Sequence, residues 1–177
     1  MKIEAVLFDM DGLMVDTESL STKALISSAK KQDYEMTKEE TLQVLGFTEA
    51  AIYKFWEDYF EDSHVDGKKL ADDHYDYIEE VLFTTGPDKM PNVEELLVYL
   101  KENNYKVAVA SSSNIDHIEN NMEKTGLRKY IDKIASGQEV SNGKPAPDVF
   151  LLAAERLGVK PENCLVLEDS KSGIKAG

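Results

Sequence analysis

The sequence has one cysteine, three histidines, one tryptophan and five prolines, and its 20 basic residues are outnumbered by 34 acidic ones. Each shortage excludes something. A lone thiol, Cys164, makes no internal disulfide and no multi-cysteine zinc site. It reads as a buried strand residue, and a reducing, cytoplasmic setting is the expectation. His64, His74 and His117 are scattered along the chain, and each reads as a surface or packing histidine. No apolar run approaches the roughly 18 residues that a membrane span needs. The opening MKIEAVLFDMDG turns acidic after a short apolar stretch, so no signal peptide is expected. A formal charge of −14 opposes nucleic acid and anionic membranes as partners, since both are polyanions. That charge is concentrated: residues 15–84 hold 17 acids against 7 bases, a net of −10. Such a segment is either a solvated helical surface or one that repels large polyanions.

What the sequence does have is enough apolar content, 42%, to build a core over 177 residues. The length suits one domain, or one domain carrying an insertion. Residues 3–8, IEAVLF, are a short apolar run ending at Asp9-Met10-Asp11-Gly12, the pattern of a buried strand. From 15 to 84 the pattern is helical. Ile52, Phe55, Trp56, Tyr59 and Phe60 share one face of a helix, and Leu70, His74, Tyr77 and Val81 repeat a weaker stripe. The stripe reads as the core of a small helical bundle or the lining of a pocket. After residue 85 helices and strands alternate. Asn92 is placed to cap a helix through Leu100, and Lys106–Ala110 is a second strand. Residues 133–136 form a weak third strand, Pro147 opens a helix that Gly158 stops, and Cys164–Leu167 is a fourth strand. Alternation of this kind predicts an α/β fold, a Rossmann-like parallel sheet core of residues 1–14 and 85–177, with an inserted all-helical segment at 15–84.

Polar residues follow the apolar strands directly: Asp9 and Asp11 after the first, Ser111 after the second, Glu168 and Asp169 after the fourth. Ligands of open α/β sheets bind beyond the carboxyl ends of strands, so these clusters are expected to meet on one edge. Four carboxylates in one small space do not all stay ionised without a cation. Magnesium, an oxygen-seeking ion, suits them better than zinc. Lys144, held by Pro145 and Pro147, is either a solvent lysine or a charge balancing those acids and binding a phosphoryl oxygen. Ser111 to Asn114 offer hydroxyls and backbone N–H groups at a helix start, an ordinary cap or an anion site. Taken together they suit phosphoryl transfer.

With those motifs in that order, the sequence resembles the haloacid dehalogenase-like superfamily, in the β-phosphoglucomutase-like phosphatase branch with a helical cap. Asp9-Met10-Asp11-Gly12 with Asp16-Thr17-Glu18, then Ser111, then Lys144-Pro145-Ala146-Pro147-Asp148, then Glu168-Asp169-Ser170 with Gly173, carry the likeness. The resemblance implies Asp9 as nucleophile, through an aspartyl-phosphate, and Asp11 as general acid and then base. It implies Mg²⁺ held by Asp9, Asp11 through its backbone carbonyl, and Asp169, with Glu168 adjacent. It implies phosphoryl oxygens held by Ser111, Ser112 and Lys144. Residues 15–84 would be a cap that closes over the site and chooses a small phosphorylated metabolite. An Asp at position 11 favours phosphate esters, because halide leaves without a proton. A two-component receiver domain also sets acids at a strand end and a later lysine, but the helical insertion after Asp11 argues against it.

The chain departs from the mutase pattern in the cap. Leu45 stands where the resemblance expects Lys, Glu49 near an expected Arg, and Ser21 near an expected His. A carboxylate about 4 Å from a phosphate costs on the order of 4 kcal/mol at an effective dielectric near 20, which favours a phosphatase over a phosphosugar mutase. The sequence stops at Ala176-Gly177, where the resemblance expects a further strand and helix. An uncovered sheet edge would then favour association, and a shortened, non-catalytic phosphate-binding module is a third reading.

Overall fold

A computed structural model describes residues 2–45 and 47–177. In chain order the elements are β1 (Ala5–Phe8), α1 (Thr17–Lys30), α2 (Lys38–Thr41), α3 (Glu49–Tyr59) and α4 (Gly67–Thr84). Then follow α5 (Val93–Glu102), β2 (Lys106–Ser111), α6 (Ile115–Lys124), β3 (Lys133–Ser136), α7 (Asp148–Leu157), β4 (Cys164–Leu167) and α8 (Lys171–Ala176). Two compact units result: one of residues up to Asp16 and from Thr85 onward, the other Thr17–Thr84. The first crossing falls two residues later than the sequence pattern suggests. Val15 bridges to Lys89, and the Asp16 N–H donates to the Asp88 carbonyl, which ties both residues into the α/β unit.

The α/β unit is a four-stranded parallel sheet in the order β3-β2-β1-β4. All four residues of β1 are buried, as a strand with both faces covered must be. The period-two alternation sorts them by size. Val6, Phe8, Val107, Val109 and Ile134 face one core with Leu97, Ile118 and Met122 of α5 and α6. Ala5, Leu7, Ala108, Ala110 and Ala135 face the other with Val149, Phe150, Ala153 and Ala154 of α7. The run of alanines on that second face leaves room for α7 to lie close to the sheet.

Two local expectations need correction. Asn92 precedes α5 but does not cap it with its side chain: it sits at φ 63°, a left-handed conformation that Asn tolerates, and makes no side-chain bond to the helix. Cys164 is only partly buried, because β4 is an edge strand, and its thiol lies 3.5 Å from the Lys160 carbonyl. Beside that edge Leu165, Leu151 and Ile174 are exposed around a cavity of about 400 Å³.

The helical unit packs α1 and α3 against α4. α1 and α4 run antiparallel, since Ser21 near the start of α1 meets His74 while Gln32, just past its end, bonds Asp66 just before α4. Its core holds Leu25, Ile52, Trp56, Phe60 and Leu70. Of the aromatic stripe, Trp56 and Phe60 are buried and Tyr59 is exposed, so the stripe serves mainly as core. Among the described residues no helix is long and apolar enough to cross a membrane.

Candidate active site

Sheet register brings the acids together. Phe8 pairs with Leu167, so Asp9 and Glu168 leave neighbouring strand ends side by side, and the Asp9 N–H still donates to the Leu167 carbonyl at 3.0 Å. Phe8 also pairs with Val109, and Ser111 closes β2 on the other flank of β1. Between Met10 and Val15 the chain doubles back, with Met10, Met14 and Val15 buried as anchors. Gly12 makes the reversal possible at φ +77°, and a Cβ there would overlap the Asp169 carboxylate. Gly173 makes room in the same way, since the Glu168 carboxylate occupies the space where its Cβ would stand.

Asp9, Glu168 and Asp169 present carboxylate oxygens that lie within 4.8 Å of one another. Lys144 reaches this group from the loop before α7. Its Nζ stands 2.5 Å from Asp9 Oδ1 and 2.6 Å from Glu168 Oε1, and its side chain is 6% exposed. The solvent-lysine reading of Lys144 therefore fails. Its ammonium also lies 4.8 Å from the centre of the Phe150 ring, a cation–π contact that helix α7 supplies. Glu168 Oε2 accepts the Ser170 N–H at 2.7 Å, which fixes its second oxygen.

The electrostatics follow from burial. Burial is the largest influence on Asp9 and pushes its carboxyl up to about 6, the Lys144 ammonium pulls the other way, and Glu168 and Asp11 add to the rise. At Glu168 burial also pushes upward. The Lys144 ammonium and the donors from Ser170 outweigh it together and hold Glu168 below the usual carboxylate range. Three carboxylates facing one ammonium leave net negative charge in a space with only oxygen donors, which fits a hard divalent cation.

Asp11 differs from the expectation of four clustered acids. Its carboxylate turns toward β2, where Oδ2 accepts the Ser113 hydroxyl at 3.0 Å and the Ser111 hydroxyl at 3.5 Å. Ser111 is buried, while Ser112 beside it is exposed. The helix α6 is capped by Asn114, whose side chain accepts the His117 N–H at 2.9 Å. His74 is buried in the helical unit, and His64 bonds the Gln32 carbonyl there. The sequence points to Ser113 only within the Ser111–Asn114 run, as a cap or anion site, and does not point to Phe150 as a neighbour of the site. Ser113 stands inside the serine run that follows β2, which is signal enough to find it; Phe150 carries only a core signal.

A family model described as haloacid dehalogenase-like hydrolase matches residues 6–177. The phosphorylated carbohydrates phosphatase of Thermotoga maritima is 34% identical over 176 residues, covering 98% of this chain and 80% of that protein. The probable pseudouridine-5'-phosphatase of Drosophila melanogaster is 35% identical over 191 residues, covering 99% of this chain and 77% of that protein. A crystal structure from Thermotoga maritima, described provisionally as a beta-phosphoglucomutase, superposes with a TM-score of 0.84 at 32% identity, covering 98% of this chain and 80% of that one. The chain belongs to the haloacid dehalogenase-like hydrolases, in their β-phosphoglucomutase-like branch.

Proposed function

We propose that the chain is a Mg²⁺-dependent phosphatase that hydrolyses a small phosphomonoester, a sugar phosphate by class. The observation that carries this reading is the Lys144 ammonium held between Asp9 and Glu168 beside Asp169, with Asp11 two residues from Asp9. Asp9, Glu168 and Asp169, with the Asp11 backbone carbonyl, would hold the ion. Bound there, it would offset the charge of the carboxylates and of the phosphoryl group. Asp9 Oδ attacks phosphorus as the ester oxygen departs, which gives an aspartyl-phosphate and splits one hard step into two. Asp11, protonated, gives its proton to the departing alkoxide, then takes one from the water that attacks the aspartyl-phosphate. Lys144 and the Ser111 hydroxyl, with Ser112 beside it, hold phosphoryl oxygens, and the Lys144 charge keeps Asp9 ionised at neutral pH.

Substrate choice we assign to the helical unit, whose acidity disfavours a second phosphate. Its segment Leu45 to Glu49 carries no basic residue, and Gly46 within it lies outside the described residues. Similarity to a protein described as a beta-phosphoglucomutase supports a second reading, a phosphosugar mutase. The test is phosphate release from a panel of sugar phosphates with Mg²⁺ and with chelator. Release that needs Mg²⁺ is expected; interconversion of sugar 1- and 6-phosphates with a bisphosphate activator would favour the mutase, and neither activity would refute both.

A further inference from the structure

We infer that Ser113 is a positioning residue for Asp11, an inference that rests on the acid–base role proposed above. A general acid works only when its carboxyl is held within reach of the departing oxygen. The Ser113 hydroxyl is the nearer of two serine donors to Asp11 Oδ2: 3.0 Å against 3.5 Å for Ser111, the latter at the outer limit of a hydrogen bond.

Ser113 is itself held at both backbone groups. Its N–H donates to Ser111 Oγ at 3.1 Å, and its carbonyl accepts the Ser136 hydroxyl at 2.6 Å. Ser136 is fully buried at the end of β3, and its oxygen in turn accepts the Gln138 N–H at 3.1 Å. Gly137 lets this strand end approach the loop, since a Cβ there would lie 3.0 Å from Ser112 Cα. With the backbone fixed from β2 and β3, rotation about the Ser113 side chain is the freedom left, and Asp11 takes it up.

The ordinary role for such a serine is helix capping. Here Asn114 fills that role for α6, so the Ser113 hydroxyl is not spent on the helix. Ser111, by contrast, is the serine assigned above to the phosphoryl oxygens. Two neighbouring serines thus divide the work: Ser111 for the phosphoryl oxygens, Ser113 for the proton donor.

The test uses two substrates. A sugar phosphate leaves as an alkoxide and needs the Asp11 proton; p-nitrophenyl phosphate leaves as a stable phenolate and does not. Because kcat/KM reports steps up to formation of the aspartyl-phosphate, Ser113→Ala should lower it about tenfold or more for the sugar phosphate, through kcat, within the roughly 10²–10⁴ that general acid catalysis supplies. It should change it less than about twofold for the aryl ester, and Ser113→Thr, which keeps the hydroxyl, should restore the sugar-phosphate rate. On an Asp11→Asn background Ser113→Ala should cost nothing further. Equal loss on both substrates, no loss on either, or the same loss without the Asp11 carboxyl would overturn the inference. A wild-type enzyme that hydrolyses neither substrate would instead defeat the phosphatase reading beneath it.

Discussion

Lys144 and Glu168 form a buried ion pair, Nζ to Oε1 at 2.6 Å, with side chains 6% and 3% exposed, and Asp9 shares the same ammonium. A pair this buried gains little net stability over an apolar filling, but breaking it is costly, because the survivor is left charged and unpaired. Here removal of Lys144 strands two carboxylates.

Lys144→Met is therefore expected to lose about 3–5 kcal/mol of stability in chelator at pH 8. It is also expected to lose about 10²-fold or more in turnover. Urea unfolding monitored in chelator measures the first effect, and phosphate release the second. A variant as stable as the parent under those conditions would show that Asp9 and Glu168 do not depend on that ammonium.

Asp9 sets a pH dependence of one sign. Its carboxyl is raised from 3.8 to about 6, so between those values the folded chain keeps a proton that the unfolded chain releases. The contribution is complete below about pH 4 and is lost as pH rises through 6, on the order of 3 kcal/mol at most. Without metal, the parent should lose stability relative to Asp9→Asn across that window, and saturating Mg²⁺ should abolish the difference. Parallel curves in chelator would contradict the burial argument.

His74 works in the opposite sense. Burial holds its imidazole down at about 4, below the usual 6.5, with Nε2 2.9 Å from the Ser21 hydroxyl and Nδ1 buried without a partner. The unfolded chain binds the proton first, so this contribution is intact above pH 6.5 and disappears as pH falls toward 4, again about 3 kcal/mol at most. A His74→Gln variant should show a shallower acid limb in thermal melts between those values. An unchanged limb would mean that the ring is solvated.

Gly173→Ala places a methyl group where the Glu168 carboxylate lies. Displacing that carboxylate breaks its buried pair with Lys144, a cost that the roughly 1 kcal/mol alanine gains in a helix does not offset, so stability in chelator should fall. Half-saturation by Mg²⁺ should rise about 10-fold or more, the range for groups that orient metal ligands. Titrating activity with Mg²⁺ measures it, and an unaltered half-saturation would separate Glu168 from the ion.

Much of this site is legible in the sequence because burial leaves a pattern. Apolar runs that stop at Asp9, Ser111 and Glu168 are strand ends, and parallel register then makes those residues neighbours. Lys144 is legible only as one charge beside four acids; its approach to Phe150 depends on how α7 lies on the alanine face of the sheet. The turn of Asp11 toward Ser113 is not legible either. Which of three adjacent hydroxyls reaches a carboxylate is decided by loop angles that Ser136 and Gly137 set from another strand. The left-handed Asn92 and the half-exposed Cys164 escape a sequence reading for a related reason: a residue type names what it tolerates, while its neighbours decide which conformation and exposure it takes.

The proposed mechanism stands or falls on Asp9 carrying the phosphoryl group covalently. Rapid mixing with substrate and Mg²⁺, followed by acid quench, borohydride reduction and peptide mass spectrometry, tests it directly. Reduction to homoserine is expected at position 9 alone, dependent on substrate and absent in Asp9→Asn. Phosphate release without any trapped acyl phosphate, or with Asp9→Asn still turning over, would contradict it.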